Sequence, residues 1–231
     1  MTKSVLIVGA SRGIGLGLVG EFERRGWDVI GTARDPEKAS ALNELAAVSG
    51  GRVRVEQADI TDVGSITALR DRLAGQTFET IIINAGVGGP PGKNPRTVSD
   101  EEFSHLFITN ALAPVRTAEI FISQVKPQAG VVGLMTSILG SVEGASAGGT
   151  ELYRASKAAL NSFTRSFAAR HKDKGLAILS LHPGWVKTDM GGPNAAIDVA
   201  TSVKGLADVV ERAQKDRKDG FFDYRGETLP W

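Results

Sequence analysis

The sequence predicts an α/β fold in which one parallel sheet of seven strands is covered by helices on both faces. Short β-branched runs alternate with helical patterns along all 231 residues, which is typical of such a sheet. The runs at 5–8 and 81–83 are continuously apolar, as in strands buried on both faces, and we expect them at the centre of the sheet. Since no linker or repeat interrupts the alternation, we expect a single domain over 1–231.

The elements are predicted in the following order. Strands are expected at 5–8, 28–32, 52–57, 80–84, 131–136, 177–181 and 221–224. Helices are expected at 13–25, 36–47, 63–74, 100–124, 151–171 and 199–215, with Pro36 in the first turn of the second. Two segments rich in glycine and proline, 86–94 and 184–194, follow predicted strands. Loops in that position border the ligand crevice of such sheets, so both are candidate functional segments.

Composition favours a globular protein that binds small molecules. Hydrophobic residues make up 42% of the chain, and the net charge of +1 includes no long Lys/Arg run, so no nucleic-acid partner is expected. Cysteine is absent, and His105, His171 and His182 do not cluster, so neither a metal site nor a His-based triad is expected. The apolar run 5–8 is too short for a signal peptide, and no run has the length of a membrane span. We therefore expect a cytoplasmic protein with no membrane partner.

A glycine-rich turn joins the first strand to the first helix. Its sequence, Gly-Ala-Ser-Arg-Gly-Ile-Gly at 9–15, has glycines at the spacing G-x-x-x-G-x-G, and Leu18 stands where the fingerprint G-x-G-x-x-G requires a glycine. Glycines let the backbone approach a pyrophosphate, whose charge is favoured by the free amides and the positive end of the helix. The turn predicts a phosphate site, with a purely packing role as the alternative.

Tyr153 and Lys157 are four residues apart in the predicted helix 151–171 and therefore lie on one face of it. A cation close to a phenol lowers a pKa that is ordinarily about 10, which lets the hydroxyl exchange protons near neutral pH. An exposed pair without function is the alternative. The position of the pair, after a phosphate turn and a fifth strand, favours catalysis.

In order and spacing, these motifs resemble the short-chain dehydrogenase/reductase family, which has a Rossmann fold. The matching segments are the turn 9–15, Asp59-Ile60, Asn84-Ala85-Gly86, Thr109-Asn110-Ala111, the strand end 134–140, the pair Tyr153 and Lys157, and 182–190. They cover nearly the whole chain, although Ile83 stands where the family commonly has another Asn. The resemblance implies an NADPH-dependent oxidoreductase that reduces a carbonyl substrate (a ketone, an aldehyde or a quinone-like compound) to an alcohol.

The resemblance also implies roles for individual residues. Tyr153 would donate a proton, Ser137 would orient the carbonyl oxygen, Lys157 would tune Tyr153 and bind the nicotinamide ribose, and Asn110 would hold a water between Lys157 and solvent. Thr136 is also hydroxylated, but Ser137 fits the family's step to Gly140 better. The implied cofactor-binding residues are Gly9, Ser11, Arg12, Gly13, Ile14, Gly15, Arg34, Asp59, Ile60, Asn84, Ala85, Gly86, Tyr153, Lys157, Pro183, Gly184, Val186 and Thr188.

Cofactor choice depends on the end of the second strand. Ala33 stands where NAD-dependent members carry an acidic residue, and Arg34 follows it, which is the arrangement of NADP-preferring members. The resemblance places Arg12 near the same 2′-phosphate. NADPH/NADP is therefore the predicted cofactor, although Asp35 leaves NADH open because its carboxylate is close enough in sequence to contact a ribose hydroxyl.

Within the family, the segments 136–144, 184–195 and 226–231 are similar to the subgroup of sniffer-type carbonyl reductases and C-factor. The similarity implies an open site for planar or bulky carbonyls. It also favours a homodimer or homotetramer formed through the helix 151–171 and the one before it, although the apolar row in 151–171 equally suits packing within the monomer. A protein that senses nucleotide redox state, or another signalling protein, on the same fold is the alternative function, because a fold alone does not determine function.

Overall fold

Seven strands form one sheet in the computed structural model, which describes residues 2–144 and 148–231. The strands are β1 (Ser4–Val8), β2 (Asp28–Ala33), β3 (Val53–Gln57), β4 (Thr80–Ile83), β5 (Val131–Met135), β6 (Ala177–His182) and β7 (Gly220–Asp223). All neighbouring strands are parallel, in the order β3-β2-β1-β4-β5-β6-β7. The predicted single-domain Rossmann fold is confirmed, and each predicted strand end lies within one residue of the observed one.

Helices cover both faces of this sheet. They are α1 (Gly13–Arg24), α2 (Ser40–Val48), α3 (Val63–Arg72), α4 (Asp100–Phe107), α5 (Ala113–Phe121), α6 (Glu151–Arg170) and α7 (Val199–Asp216). Alternate side chains of β1 point to opposite faces, so Val5 and Ile7 pack with α1 and α7 while Leu6 packs with α3, α5 and α6. Both faces of β1 are fully buried, as its continuous apolar run predicts.

Two of the predicted helices are not regular. The segment 36–47 begins as a 3₁₀ turn, Pro36–Lys38, and becomes α-helical only in α2. The segment 100–124 is helical throughout, but a π-helical segment, Ile108–Leu112, separates α4 from α5, and a 3₁₀ turn ends it. In the π segment the amide of Ala113 donates to the carbonyl of Ile108, five residues earlier, so this turn contains one residue more than an α-helical turn.

The topology brings the functional loops to one edge of the sheet. After β3 the chain crosses to the other side of β1, and the carboxyl ends of β1 and β4 border a crevice at that point. The loops after β5 and β6 follow along the same edge because all strands are parallel. Within 2–144 and 148–231, no helix combines the length and apolarity that crossing a membrane requires.

Candidate active site

The turn after β1 is built for close approach. Gly9 has φ +89°, and a Cβ atom on it would lie 2.8 Å from the Cα of Ala85 in the loop after β4. A Cβ on Gly15 would lie 2.0 Å from the carbonyl oxygen of Gly9. The Asn84 side chain donates a 2.7 Å hydrogen bond to that same carbonyl. Substitution of either glycine would therefore separate the turn from the end of β4.

The amino end of α1 is suited to an anion. Its N-cap residue, Arg12, makes no side-chain capping bond, and no acidic side chain lies in the first turn. Ser11 and Arg12 are exposed at the crevice, whereas Gly13 and Ile14 are half-buried. The positive end of the helix dipole and its first amides are thus available to a pyrophosphate. A dinucleotide fits the residues that are present here.

Ser137, Tyr153 and Lys157 meet in a buried corner between β5 and α6. Ser137 and Lys157 are 8% and 4% exposed, and the Ser137 hydroxyl is near enough to the Tyr153 hydroxyl to influence its pKa. The Lys157 ammonium lies 5.8 Å from the centre of the Tyr153 ring and donates to the carbonyl of Met135 at 3.0 Å. A Cβ on Gly140 would lie 2.7 Å from the backbone of Lys157, so the turn after Ser137 packs directly on α6.

Burial dominates the electrostatics of this corner. It raises the pKa of the Tyr153 hydroxyl above its ordinary value, and the hydrogen bond with Ser137 opposes that rise. It also lowers the pKa of Lys157 from 10.5 to about 8. The pKa of Tyr153 is thus shifted upward rather than downward as expected, and burial of the phenol is the largest cause.

Asn110 lies in the π segment and is completely buried. Its side-chain oxygen accepts from the amide of Val87 at 2.8 Å, and its side-chain nitrogen donates to the Val87 carbonyl at 2.8 Å and to the Ser156 hydroxyl at 3.1 Å. Ser156 in turn donates to the carbonyl of Tyr153 at 2.7 Å. Both side-chain N–H groups of Asn110 are used by these bonds and its oxygen accepts one, and its role in holding a water stays a prediction.

Sequence reasoning missed Ser156 and Val87. Ser156 stands three residues after Tyr153, a spacing that places the two side chains on the same side of α6. Val87 follows the Asn84-Ala85-Gly86 motif. A Cβ on Gly86 would lie 3.2 Å from the Asn110 side-chain oxygen and 3.4 Å from the Lys157 ammonium, so this motif borders the candidate catalytic corner directly.

The predicted adenosine end of the crevice lies after β2 and β3. Asp59 accepts hydrogen bonds from the amide and hydroxyl of Thr61 at 2.9 and 2.6 Å. Burial raises the pKa of Asp59, but these bonds outweigh it and, with the charge of Arg34, hold that pKa below its ordinary value. Ile60 is buried in the core below. An ionised carboxylate and the exposed Arg34 guanidinium therefore share this end.

Two further residues at the β2 end bear on cofactor choice. The Asp35 carboxylate forms a 2.7 Å ion pair with Lys38 in the 3₁₀ turn, so it already has a cationic partner. Ala33 is 2% exposed and packs in the core under α2. An acidic residue at position 33 would consequently be placed in an apolar environment in this chain.

The segment after β6 forms the opposite end of the crevice. Gly184 has φ +86°, Val186 is buried, and the Pro183 carbonyl accepts from Ser202 of α7 at 2.6 Å. A Cβ on Gly13 would lie 3.4 Å from the Thr188 methyl group. The residues predicted to bind the nicotinamide therefore adjoin the phosphate turn.

Four exposed apolar side chains lie on the segments after β5 and β6. They are Ile138, Val142, Trp185 and Met190, with exposures from 43% to 72%. The Trp185 indole donates a 2.8 Å hydrogen bond to the Gly191 carbonyl, which holds its ring in place. Polar reacting groups and an apolar surface thus occur on neighbouring loops.

The histidines lie outside this arrangement. His171 contacts Glu119 at 2.8 Å, His105 is exposed on α4, and burial lowers the pKa of His182 to about 4. Among the residues that the structure describes, no group of three or more His, Asp or Glu side chains is positioned to hold a metal ion.

The fold and the crevice define a dinucleotide-binding protein of the Rossmann class. A family model described as short chain dehydrogenase matches residues 3–197. The chain belongs to the short chain dehydrogenase family.

Relatives and solved structures support this membership. The C-signal protein of Myxococcus xanthus is 36% identical over 157 residues, which are 66% of this chain and 92% of that protein. A short-chain dehydrogenase/reductase from Burkholderia multivorans, solved with bound NADP, is 43% identical, has a TM-score of 0.95 and is covered completely, as is this chain. The carbonyl reductase Sniffer of D. melanogaster is 30% identical with a TM-score of 0.91, again with complete coverage of both chains. The predicted resemblance to the sniffer and C-factor subgroup is confirmed.

Proposed function

We propose that this protein is an NADPH-dependent carbonyl reductase that converts a ketone, an aldehyde or a quinone-like compound to an alcohol. The observation that carries the proposal is the meeting of Ser137, Tyr153 and Lys157 in one buried corner beside the crevice. NADP bound to the Burkholderia multivorans structure supports the cofactor. Sniffer, described as a carbonyl reductase, supports the reaction class.

The three side chains divide the chemistry between them. Because the pKa of Tyr153 is raised, its hydroxyl stays protonated at neutral pH and serves as the acid that protonates the carbonyl oxygen. Ser137 donates a hydrogen bond to that oxygen and holds it near Tyr153. NADPH, when bound, supplies the hydride that the carbonyl carbon receives. Lys157, with a pKa of about 8, holds or releases a proton near physiological pH and returns one toward Tyr153 after each turnover.

NADPH is preferred over NADH in this proposal. Arg34 is exposed at the end of β2 and is the cation closest in sequence to the expected site of the 2′-phosphate. Asp35, the residue that would favour NADH, is paired with Lys38. Pyrophosphate would lie on the amino end of α1, where Gly9, Gly13 and Gly15 leave room for it.

The substrate is an apolar, planar or bulky carbonyl compound. Ile138 and Val142 on one loop and Trp185 and Met190 on the other present apolar surface near the catalytic corner. Such surface binds aromatic or aliphatic groups, and aromatic side chains stack on flat ones. Small polar carbonyls would gain little from it.

A spectrophotometric assay tests the proposal. The oxidation of NADPH is followed with a panel that ranges from small polar aldehydes to aromatic ketones and ortho-quinones. Turnover that increases with the apolar area of the substrate is the expected result. NADPH binding without turnover of any carbonyl would instead support the alternative, a protein that senses or signals nucleotide redox state.

The assembly of the protein and its location are also part of the proposal. Leu160 and Phe167 of α6 are fully buried within the monomer, whereas Phe163 between them is 43% exposed. Phe103 and Leu112, on the preceding helix, are exposed to a similar extent. A homodimer or homotetramer formed through these faces would cover the exposed apolar side chains. The cytoplasmic location stays a prediction.

A further inference from the structure

An ion pair joins the two rims of the cofactor crevice. Arg12, before α1, directs its guanidinium to Asp189 in the segment after β6, with 2.7 Å between nitrogen and oxygen. Both side chains are 77% exposed. The residues next to them are also close, since a Cβ on Gly13 would lie 3.4 Å from the Thr188 methyl group. The pair therefore spans the region where the phosphate turn meets the predicted nicotinamide segment.

This contact pairs the Arg12 guanidinium with an anion in the segment after β6. In the sheet, β2 borders β1 on one side, and β6 lies on the opposite side beyond β4 and β5. Arg34 follows β2 and Asp189 follows β6, so Arg12, which follows β1, lies between them. A phosphate at Arg34 and the carboxylate of Asp189 consequently attract the Arg12 guanidinium in opposite directions. The expectation that Arg12 and Arg34 converge on the 2′-phosphate stays a prediction, since the Arg12 guanidinium is paired with Asp189 in this structure.

We propose that Asp189 competes with the 2′-phosphate of NADPH for Arg12 and thereby sets the affinity for NADPH. The inference rests on the proposed function, because only a cofactor with this phosphate takes part in the competition. Charge-assisted hydrogen bonds between Arg and a phosphate are strong, whereas an exposed ion pair is readily broken. Each NADPH that recruits Arg12 must break its pair with Asp189, and NADH need not.

The test uses Asp189→Asn, which keeps the size of the side chain and removes its charge. Dissociation constants of NADPH and NADH are measured at low ionic strength for the wild type, Asp189→Asn, Arg12→Ala and the double variant. Asp189→Asn is expected to bind NADPH about two- to fivefold more tightly than the wild type, the range that loss of an exposed ion pair allows. Binding of NADH should not change.

Two comparisons show whether the gain has the proposed cause. In the Arg12→Ala background, Asp189→Asn should have no effect that is selective for NADPH, because the guanidinium for which the two anions compete is absent. Glu227→Gln is the matched control for net charge, since Glu227 is an exposed acid paired with Arg225 rather than with Arg12. This control should bind both cofactors as the wild type does.

Several outcomes would overturn the inference. Weaker NADPH binding by Asp189→Asn would mean that the ion pair of Arg12 and Asp189 helps to hold the cofactor rather than competing with it. An equal gain in affinity for NADPH and NADH would indicate that Asp189 repels any anionic cofactor. A gain in NADPH affinity that persists in the Arg12→Ala background would not come from competition for Arg12. If the wild type turns over carbonyls with NADPH but Asp189→Asn has unchanged affinities, the inference alone fails. A wild type that does not bind NADPH would remove the proposed function and the inference together.

Discussion

The catalytic corner and the phosphate rim of the crevice are built in different ways. In the corner, Lys157 and Ser137 are almost completely buried, and short hydrogen bonds hold their surroundings. At the rim, Arg12 and Asp189 are 77% exposed and make an ion pair that water and salt can replace. The positions of side chains are therefore controlled where bonds are made and broken, whereas exchangeable charges adjust the cofactor affinity at the rim. Substitutions in the two regions should therefore differ in both size and kind.

The largest effect is expected from Tyr153→Phe. Loss of the acid should lower kcat/KM for carbonyl reduction by about 10²- to 10⁴-fold, with NADPH affinity unchanged. Steady-state kinetics with NADPH and an aromatic ketone provide the measurement. Tyr224→Phe, a change at the only other tyrosine of the sequence, is the matched control and should retain activity. Wild-type kcat in Tyr153→Phe would exclude the phenol from the mechanism.

The next largest effect concerns stability and pH at Lys157. Its pKa is about 8 in the folded protein and 10.5 as the ordinary value, so between these values the unfolded chain binds more protons and the free energy of unfolding rises with pH. Below pH 8 the buried charge costs up to about 3 kcal/mol, which Lys157→Met removes. The stability of Lys157→Met relative to the wild type should therefore be greatest near pH 7 and decrease toward pH 10.5.

Denaturant unfolding at several pH values measures this difference. Its pH dependence is the test rather than its absolute value, because Lys157→Met also loses the bond to the Met135 carbonyl. Lys174→Met, at an exposed position, controls for the loss of one positive charge. A difference that does not vary with pH would contradict the burial of a charged Lys157.

Arg34→Ala should have a smaller effect, and only on the cofactor. Charged hydrogen bonds contribute about 1.5–3 kcal/mol, and screening at an exposed position reduces this to about a tenfold rise in KM for NADPH. KM for NADH should not change. Arg54→Ala, at an exposed arginine of β3, is the control. An NADH preference in the wild type, or equal losses with both cofactors, would overturn the assignment of NADPH. Ala33→Asp is a poorer test because Ala33 is buried.

Ionic strength should have the smallest effect. Raising salt screens the exposed charges of the rim, so KM for NADPH should rise by less than it does in Arg34→Ala. The catalytic corner is shielded from ions, and kcat should stay constant. Kinetics across a salt series would measure both quantities. A kcat that falls in parallel with NADPH affinity would mean that the two regions are not independent.

Local patterns predicted the sheet and the glycine-rich turn between β1 and α1 well. The apolar run of β1 and the spacing of Gly9, Gly13 and Gly15 are local signals. Each favours a single local structure, a buried strand in the first case and a tight turn in the second. The orientation of Arg12 could not be predicted, because its partner Asp189 lies 177 residues away in the chain. The direction of the Tyr153 pKa depends on burial by distant segments, which the spacing to Lys157 does not report. The π segment adds a single residue to the helical stretch 100–124. A change of that size is too small to be recognised in the hydrophobic periodicity of the sequence.

Because of that additional residue, the length of the helical stretch 100–121 determines where Asn110 lies in the site. Deleting one residue within Ile108–Leu112 would restore regular α-helical bonding, which is the geometry that stability-directed redesign would favour. It would also move the residues of the segment itself, because the widened turn that now holds them would close to an α-helical turn. Asn110 would then no longer face Val87 and Ser156 together. Shortening this helix would therefore make it more regular but would remove the hydrogen bonds that connect Asn110 to the loop after β4 and to α6.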